Sequence, residues 1–250
     1  ELKVDIHQAL ALDYEKITQF LKAKKEAEQI LKIEKRNIWA LQYLLFLSEK
    51  EENWDQAVGL TKQIQKITGK HDPDDLARFQ VYKGLEKLKS GFPDEARSFF
   101  NKALKSSPDF GLPYRYLGDM FEQIRDLVKA VENWESFAVR DIKNASLVFG
   151  KIESALFDLG RYSEVENFYR RILEIDSSNF EAIIRLANVL EEKGEDGAAL
   201  SLMEDAIDPQ SIDVRGEIMK LKLSLTTSTP VELSHQIDSI LEKLSDAKDS

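Results

Sequence analysis

The feature that most limits what this chain can fold into is a recurrence. Small residues stand at Ala27, Ala57, Ala96, Ala130, Val165 and Ala199, at successive spacings of 30, 39, 34, 35 and 34 residues. In the clearest copy, Gly91 to Pro108, a turn leads to Ala96, an aromatic follows at Phe100, a second small residue at Ala103 and then the proline. A fixed period of this size means that one supersecondary unit recurs, and that no copy can bury its apolar face alone. The spacing within a copy is helical. A small side chain is needed where the second helix of a pair crosses the first, because a larger one would force the axes beyond their usual separation of about 8–10 Å. The side chain one turn later then fills the space beside the crossing, which places Phe100, Trp134, Tyr169 and Met203 in the core.

First helices carry the complementary pattern, with Leu44-Leu45, Leu117-Gly118 before Phe121, and Leu186-Ala187 before Leu190. Turns within pairs are marked by Glu52-Asn-Trp54, Gly91-Phe-Pro93, Gly160-Arg-Tyr162 and Gly194-Glu-Asp196, where glycine suits a left-handed helix terminus. Ser163 with Glu166 reads as a capping box, and Thr229-Pro230-Val-Glu232 as a capped start with proline at the first helical position. The pattern resembles the tetratricopeptide repeat, whose second helix carries small, aromatic, small and proline positions at these offsets. The resemblance implies an all-α fold, a right-handed α-α superhelix of tandem helix hairpins. It predicts a single array over residues 1–245, with repeats near 5–37, 38–70, 77–110, 111–145, 146–179, 180–213 and 214–245, and a fraying tail at 246–250. The 39-residue spacing predicts an irregular, hinge-like connection around Gly69 to Asp75.

Two stretches, Trp39 to Ile64 and Gly91 to Trp134, resemble the repeat region of the bacterial lipopolysaccharide assembly protein B family. The similarity implies a scaffold that adapts an envelope-biosynthesis enzyme to a membrane-bound AAA protease. In that family the repeats follow an amino-terminal membrane helix and precede a rubredoxin-like zinc ribbon with two Cys-x-x-Cys pairs. This sequence contains neither, which implies an excised fragment or a related scaffold without those ends.

Composition excludes several classes of function. A charged share of 32% suits a large solvated surface, and a formal charge of −10 opposes attraction to nucleic acid or anionic lipid. With no cysteine there is no disulfide, thiol nucleophile or cysteine metal site in these residues, and a cytoplasmic location fits. The charged start, Glu1 to Gln8, predicts no secretory leader, and the longest strongly apolar stretch, Trp39 to Leu47, predicts no membrane insertion. The basic cluster from Lys22 to Arg36 is interleaved with Glu26, Glu28 and Glu34 and reads as a solvated face, with contact to a membrane or an acidic partner as the alternative. His7, His71 and His235 are far apart in sequence and read as surface residues. No nucleophile elbow, metalloprotease motif or phosphate-binding glycine loop occurs, so no catalytic residue, metal or cofactor is expected.

The expected function is therefore protein binding, by a cytoplasmic scaffold or adaptor that holds another protein or a peptide segment in a concave groove. Alternatives are a peptide-binding co-chaperone or secretion accessory, and an enzyme built on helical hairpins. First-helix positions 2, 5, 9 and 12 should line the groove. They do not carry the Lys and Asn set that clamps a peptide's terminal carboxylate. Instead they are mixed, with Arg78, Arg115 and Arg185 beside Tyr82 and Tyr116, and Asp119 and Asn188 at the same level of later repeats. Arginine and tyrosine recur at binding hot spots because each joins contact area to directional donors. The competing reading is that Tyr82 and Tyr116 pack between neighbouring helices.

Overall fold

A computed structural model describes residues 2–206, 214–225 and 228–246. The expected tail at 246–250, apart from Asp246, which ends the last helix, and the end of the expected repeat 180–213 lie outside the described residues. Among the described residues there are fourteen α-helices and no strand. The chain forms two compact units, Glu1–Tyr116 and Leu117–Ser250.

The first unit contains α1 (Leu2–Lys16), α2 (Phe20–Ile33), α3 (Ile38–Lys50), α4 (Trp54–Thr68), α5 (Pro73–Lys89) and α6 (Pro93–Ser106), together with the start of α7 (Leu112–Gln123). The second continues from Leu117 in α7 through α8 (Leu127–Arg140), α9 (Phe149–Asp158), α10 (Tyr162–Ile175), α11 (Phe180–Glu192), α12 (Asp196–Ala206), α13 (Val214–Ser224) and α14 (Pro230–Asp246). A 3-10 segment, Ile142–Val148, leads into α9. Helices pair along the chain, as in α1 with α2 and α11 with α12, and second helices such as α2, α4, α8 and α10 pack on the first helix that follows them.

The turns inside the first six pairs share one backbone signature. Thr18, Glu52, Gly91, Arg125, Gly160 and Gly194 all have φ between 53° and 82°, at spacings of 34, 39, 34, 35 and 34 residues. Glycine meets this left-handed requirement without steric cost at three of the six turns, and ordinary side chains bear it at the others. Counted from these turns, the first small position is Ala23, five residues after Thr18, as Ala57 follows Glu52 and Ala96 follows Gly91. Ala27 therefore does not hold the small position expected of it. It occupies the place of Phe100, Trp134, Tyr169 and Met203, and the residue sixteen earlier is Ala11, also fully buried.

That place is half of a size exchange. The side chain sixteen residues earlier, on the first helix, is Gly84 opposite Phe100, Gly118 opposite Trp134 and Ala187 opposite Met203, while Leu45 stands opposite the small Thr61. Phe100, Trp134, Tyr169 and Met203 are fully buried. A Cβ placed on Gly84 would lie 2.4 Å from the Phe100 ring, and one on Gly118 would lie 2.4 Å from the Trp134 indole. The large ring thus lies directly on the opposing backbone, and its burial contributes roughly 1.5–3 kcal/mol.

Two further expectations change. The extra residues of the 39-residue spacing do not make a loop. Asp72 caps α5 by accepting from the Asp74 N–H at 2.9 Å, Pro73 occupies its first turn, and only 69–72 connect it to α4. The Gln65 amide crosses that connection and donates to the Asp72 carbonyl at 3.1 Å, and the Ser107 hydroxyl donates to the Asp74 carboxylate, so the added turn is docked at both sides. Ser163 and Glu166 form no capping box, because α10 starts immediately after the Gly160 turn and Arg161 takes the cap position, with its guanidinium on Glu164 at 2.5 Å. The Thr229–Glu232 box is formed, with the Thr229 N–H donating to Glu232 at 2.7 Å and the Glu232 N–H to the Thr229 hydroxyl at 3.4 Å.

Gly84→Ala should destabilise the first unit, because overpacking costs about 1–3 kcal/mol and better helix propensity returns only about 1 kcal/mol. Gly59→Ala, on α4 with open space around it, should stabilise by about 1 kcal/mol. Urea midpoints of the two variants, followed by far-ultraviolet circular dichroism, should move in opposite directions.

Candidate functional site

The first-helix face on which a groove would lie begins with a register. Tyr82, Tyr116, Lys151 and Arg185 occupy one helical position at spacings of 34, 35 and 34 residues. In the first unit that position is aromatic. Tyr82 packs on Trp54 at 4.8 Å between ring centroids and edge-on to Phe79 at 6.3 Å. Tyr116 stacks on Phe100 at 5.7 Å, and the Arg115 guanidinium lies 5.8 Å from its ring centre. Both tyrosines are half-buried, so each packs between neighbouring helices and also shows part of its surface. Arg78 donates to Glu49 at 2.6 Å and lies 4.5 Å over the Phe79 ring, while its Nε–H is buried without a partner among the described residues. Val81, at the fifth position of the first helix that begins near Ala77 and so among those expected to line the groove, is fully buried instead.

In the second unit the same position is cationic and is matched by carboxylates of the preceding first helix. Lys151 donates to Asp119 at 2.8 Å and to Glu122 at 3.3 Å. Burial disfavours its charge, but Asp119 and Glu122 outweigh burial and hold the ammonium above the ordinary lysine value. Asp119 also accepts the indole N–H of the buried Trp134 at 3.0 Å, so it pins the seat formed at Gly118. Arg185 donates to Glu153 at 2.6 Å and to Glu181 at 2.8 Å, and Glu153 accepts the Tyr169 hydroxyl at 2.6 Å. Burial first, and then the hydrogen bond to Glu153 and its charge, raise the Tyr169 phenol well above the ordinary tyrosine range. Asn188 is half-buried on α11.

Of the seven residues singled out for the groove, Arg78, Asp119 and Arg185 are therefore engaged in contacts between successive helix pairs. Tyr82, Arg115 and Tyr116 form an aromatic and guanidinium face in the first unit. Sequence reasoning missed Lys151 and Glu153, whose recurrence with Tyr116 and Gly118 was the available signal. His7, read as a surface residue, is half-buried and hydrogen-bonded to Glu26 at 2.6 Å. In the basic cluster, Lys24 is paired with Glu51 at 2.7 Å. No helix among the described residues is long and apolar enough to cross a membrane.

No protein-family model matches the chain. Lipopolysaccharide assembly protein B of Escherichia coli strain K12 is 22% identical over 192 residues, covering 77% of this chain and 49% of the relative. The chain thus spans about half the length of the curated relatives it matches. Among solved structures, the C-terminal part of a TPR repeat-containing protein from Cytophaga hutchinsonii superposes with a TM-score of 0.52 over 93% of both chains, at 14% identity. The fold is the tetratricopeptide repeat. A crystal structure of MamA aligns over 69% of this chain and 94% of that one, with 20% identity and a TM-score of 0.49.

The Tyr169 environment sets a pH dependence. A phenol whose folded value lies above its unfolded value of about 10 contributes stability that is complete below that pH and is lost as pH rises beyond it. Urea midpoints measured from pH 8 to 11 should fall at the alkaline end, and Tyr169→Phe should make the fall shallower.

Proposed function

We propose that the protein is a non-enzymatic, cytoplasmic scaffold that binds another protein along the first-helix faces of its repeats. The observation that carries this reading is the pairing of repeat architecture with half-exposed aromatic and guanidinium side chains, Tyr82, Arg115 and Tyr116, at successive first-helix positions of the first unit. Each offers a large rigid surface with a polar tip, a combination that favours tight association at small entropic cost. The second-unit residues Asp119 and Arg185 act in support, by fixing the spacing of the helices that present that unit's face, and Asn188 adds a half-exposed amide on α11. Arg78 does the same in the first unit through Glu49.

A photo-crosslinking phenylalanine analogue placed at Tyr82 or Tyr116 should give discrete adducts with a partner protein in the native host. The same analogue at the exposed second-helix residues Lys102 or Arg140 should give none. Adducts confined to the second-helix positions would mean that the opposite face binds.

A more specific role, in lipopolysaccharide assembly, is favoured by the E. coli relative matched over 192 residues. Substituting this chain for the matched segment of that relative should restore lipopolysaccharide content in cells that lack it. Content left at the level of the deficient cells would remove this role while leaving the scaffold reading intact.

A further inference from the structure

The turn between α3 and α4, with the facing side of α5, encloses two adjoining cavities in the first unit. The larger, about 530 Å³, is bordered by Glu52, Trp54, Lys83, Glu86, Lys87 and Phe99, among others. The smaller, about 170 Å³, shares Glu52, Trp54 and Glu86 with it and adds Tyr82, Leu85 and Lys89. Trp54 therefore stands between them as a common wall.

The charges at the larger cavity do not cancel. Lys83 is taken up by Asp55, and Lys87 by Glu95 at 2.7 Å. Glu51, also on this rim, is taken up by Lys24. Glu52 and Glu86 form no ion pair among the described residues, and both border each cavity. Two carboxylates without an ion pair thus flank aromatic surface supplied by Trp54 and Phe99, with Glu86 also in the field of Lys87. Lys89 borders the smaller cavity and leaves the larger as the site for a cation.

Glu52 also holds a left-handed conformation, φ 53°, at a turn position where three sister turns use glycine. Thr18 and Arg125 share that conformation, so strain alone does not distinguish Glu52. Its distinction is a carboxylate without an ion pair at a cavity mouth, held there by a backbone that an ordinary side chain adopts only at a cost.

We propose that this cleft takes an arginine side chain from a basic segment of the partner protein, its guanidinium lying against Trp54 and bridging Glu52 and Glu86. Arginine suits the site better than lysine because a planar guanidinium both stacks on an aromatic face and donates to two carboxylates at once. The chain's formal charge of −10 draws such a segment toward it. This inference rests on the scaffold reading and names the chemistry of what the scaffold binds.

The test uses the full chain and three extended peptides of one neutral sequence, with a central arginine, a central citrulline or a central glutamate. Binding is followed by calorimetry and by the Trp54 indole N–H resonance, assigned with Trp54→Phe. The arginine peptide should bind and shift that resonance, the citrulline peptide should bind at least tenfold more weakly, and the glutamate peptide should not bind. The double variant Glu52→Gln and Glu86→Gln should weaken the arginine peptide at least tenfold. Glu28→Gln with Glu192→Gln, an equal change of charge at exposed sites elsewhere, should leave it unchanged. The proposal is overturned if no peptide binds, if citrulline binds as well as arginine, if the Trp54 signal stays still, or if the two double variants weaken binding equally. Crosslinks from Tyr82 and Tyr116 that persist alongside such a result would leave the scaffold reading standing and remove only the arginine site.

Discussion

How closely two helices can approach at a single crossing governs the architecture of both units. Where the first helix offers glycine, the second can place a phenylalanine or an indole directly on its backbone, as at Gly84 with Phe100 and Gly118 with Trp134. Where the first helix offers Glu153, the ring opposite is Tyr169, and the contact becomes a hydrogen bond that draws in Arg185 from the next first helix. One seat thus sets the approach of a pair and, in the second unit, the link to its neighbour. Repeat arrays are stabilised by such intrinsic and nearest-neighbour terms, so a change at one seat is felt chiefly by that pair and the next.

The acidity of the chain is less available than its net charge suggests. Many carboxylates are committed to ties between successive helices, among them Glu49 with Arg78, Asp119 with Lys151 and Glu166 with Lys193, while Glu166 also pairs with Arg170 one turn on in α10. Glu166 illustrates the consequence, because hydrogen bonds from Lys193 and Arg170 hold its carboxyl below the ordinary range. Half-exposed ion pairs of this kind contribute little individually to stability. Their larger effect is on recognition, since they remove charge from the face a partner would meet and leave a few carboxylates to discriminate.

The helical period, the buried aromatics and the glycine turns were legible because they depend on residue type at fixed spacing. The turns at Thr18 and Arg125 were not, because there the backbone conformation recurs without the residue that favours it; Glu52–Trp54 was legible as a turn, though its left-handed backbone was not. Ala27 was misplaced for a related reason: when both halves of a size exchange are small, side-chain volume no longer says which half is which. The first turn of α5 carried readable signals, an Asp cap and a following proline, but the long spacing argued for a loop and outweighed them. Ion pairs such as Arg185 with Glu153 join helices about a repeat apart, and no local pattern specifies them. Fold class therefore follows from periodicity, whereas the division of surface residues between internal ties and exposed faces needs the three-dimensional register.

The three non-glycine turns imply a reserve. Each holds an L side chain in a conformation that costs about 1–2 kcal/mol, part of which glycine would return in the unfolded chain through its greater freedom. The array therefore keeps three sites at which stability could rise by a single substitution without disturbing any buried contact. A chain that leaves such margin unused sits near the threshold its task requires rather than at the limit of its fold.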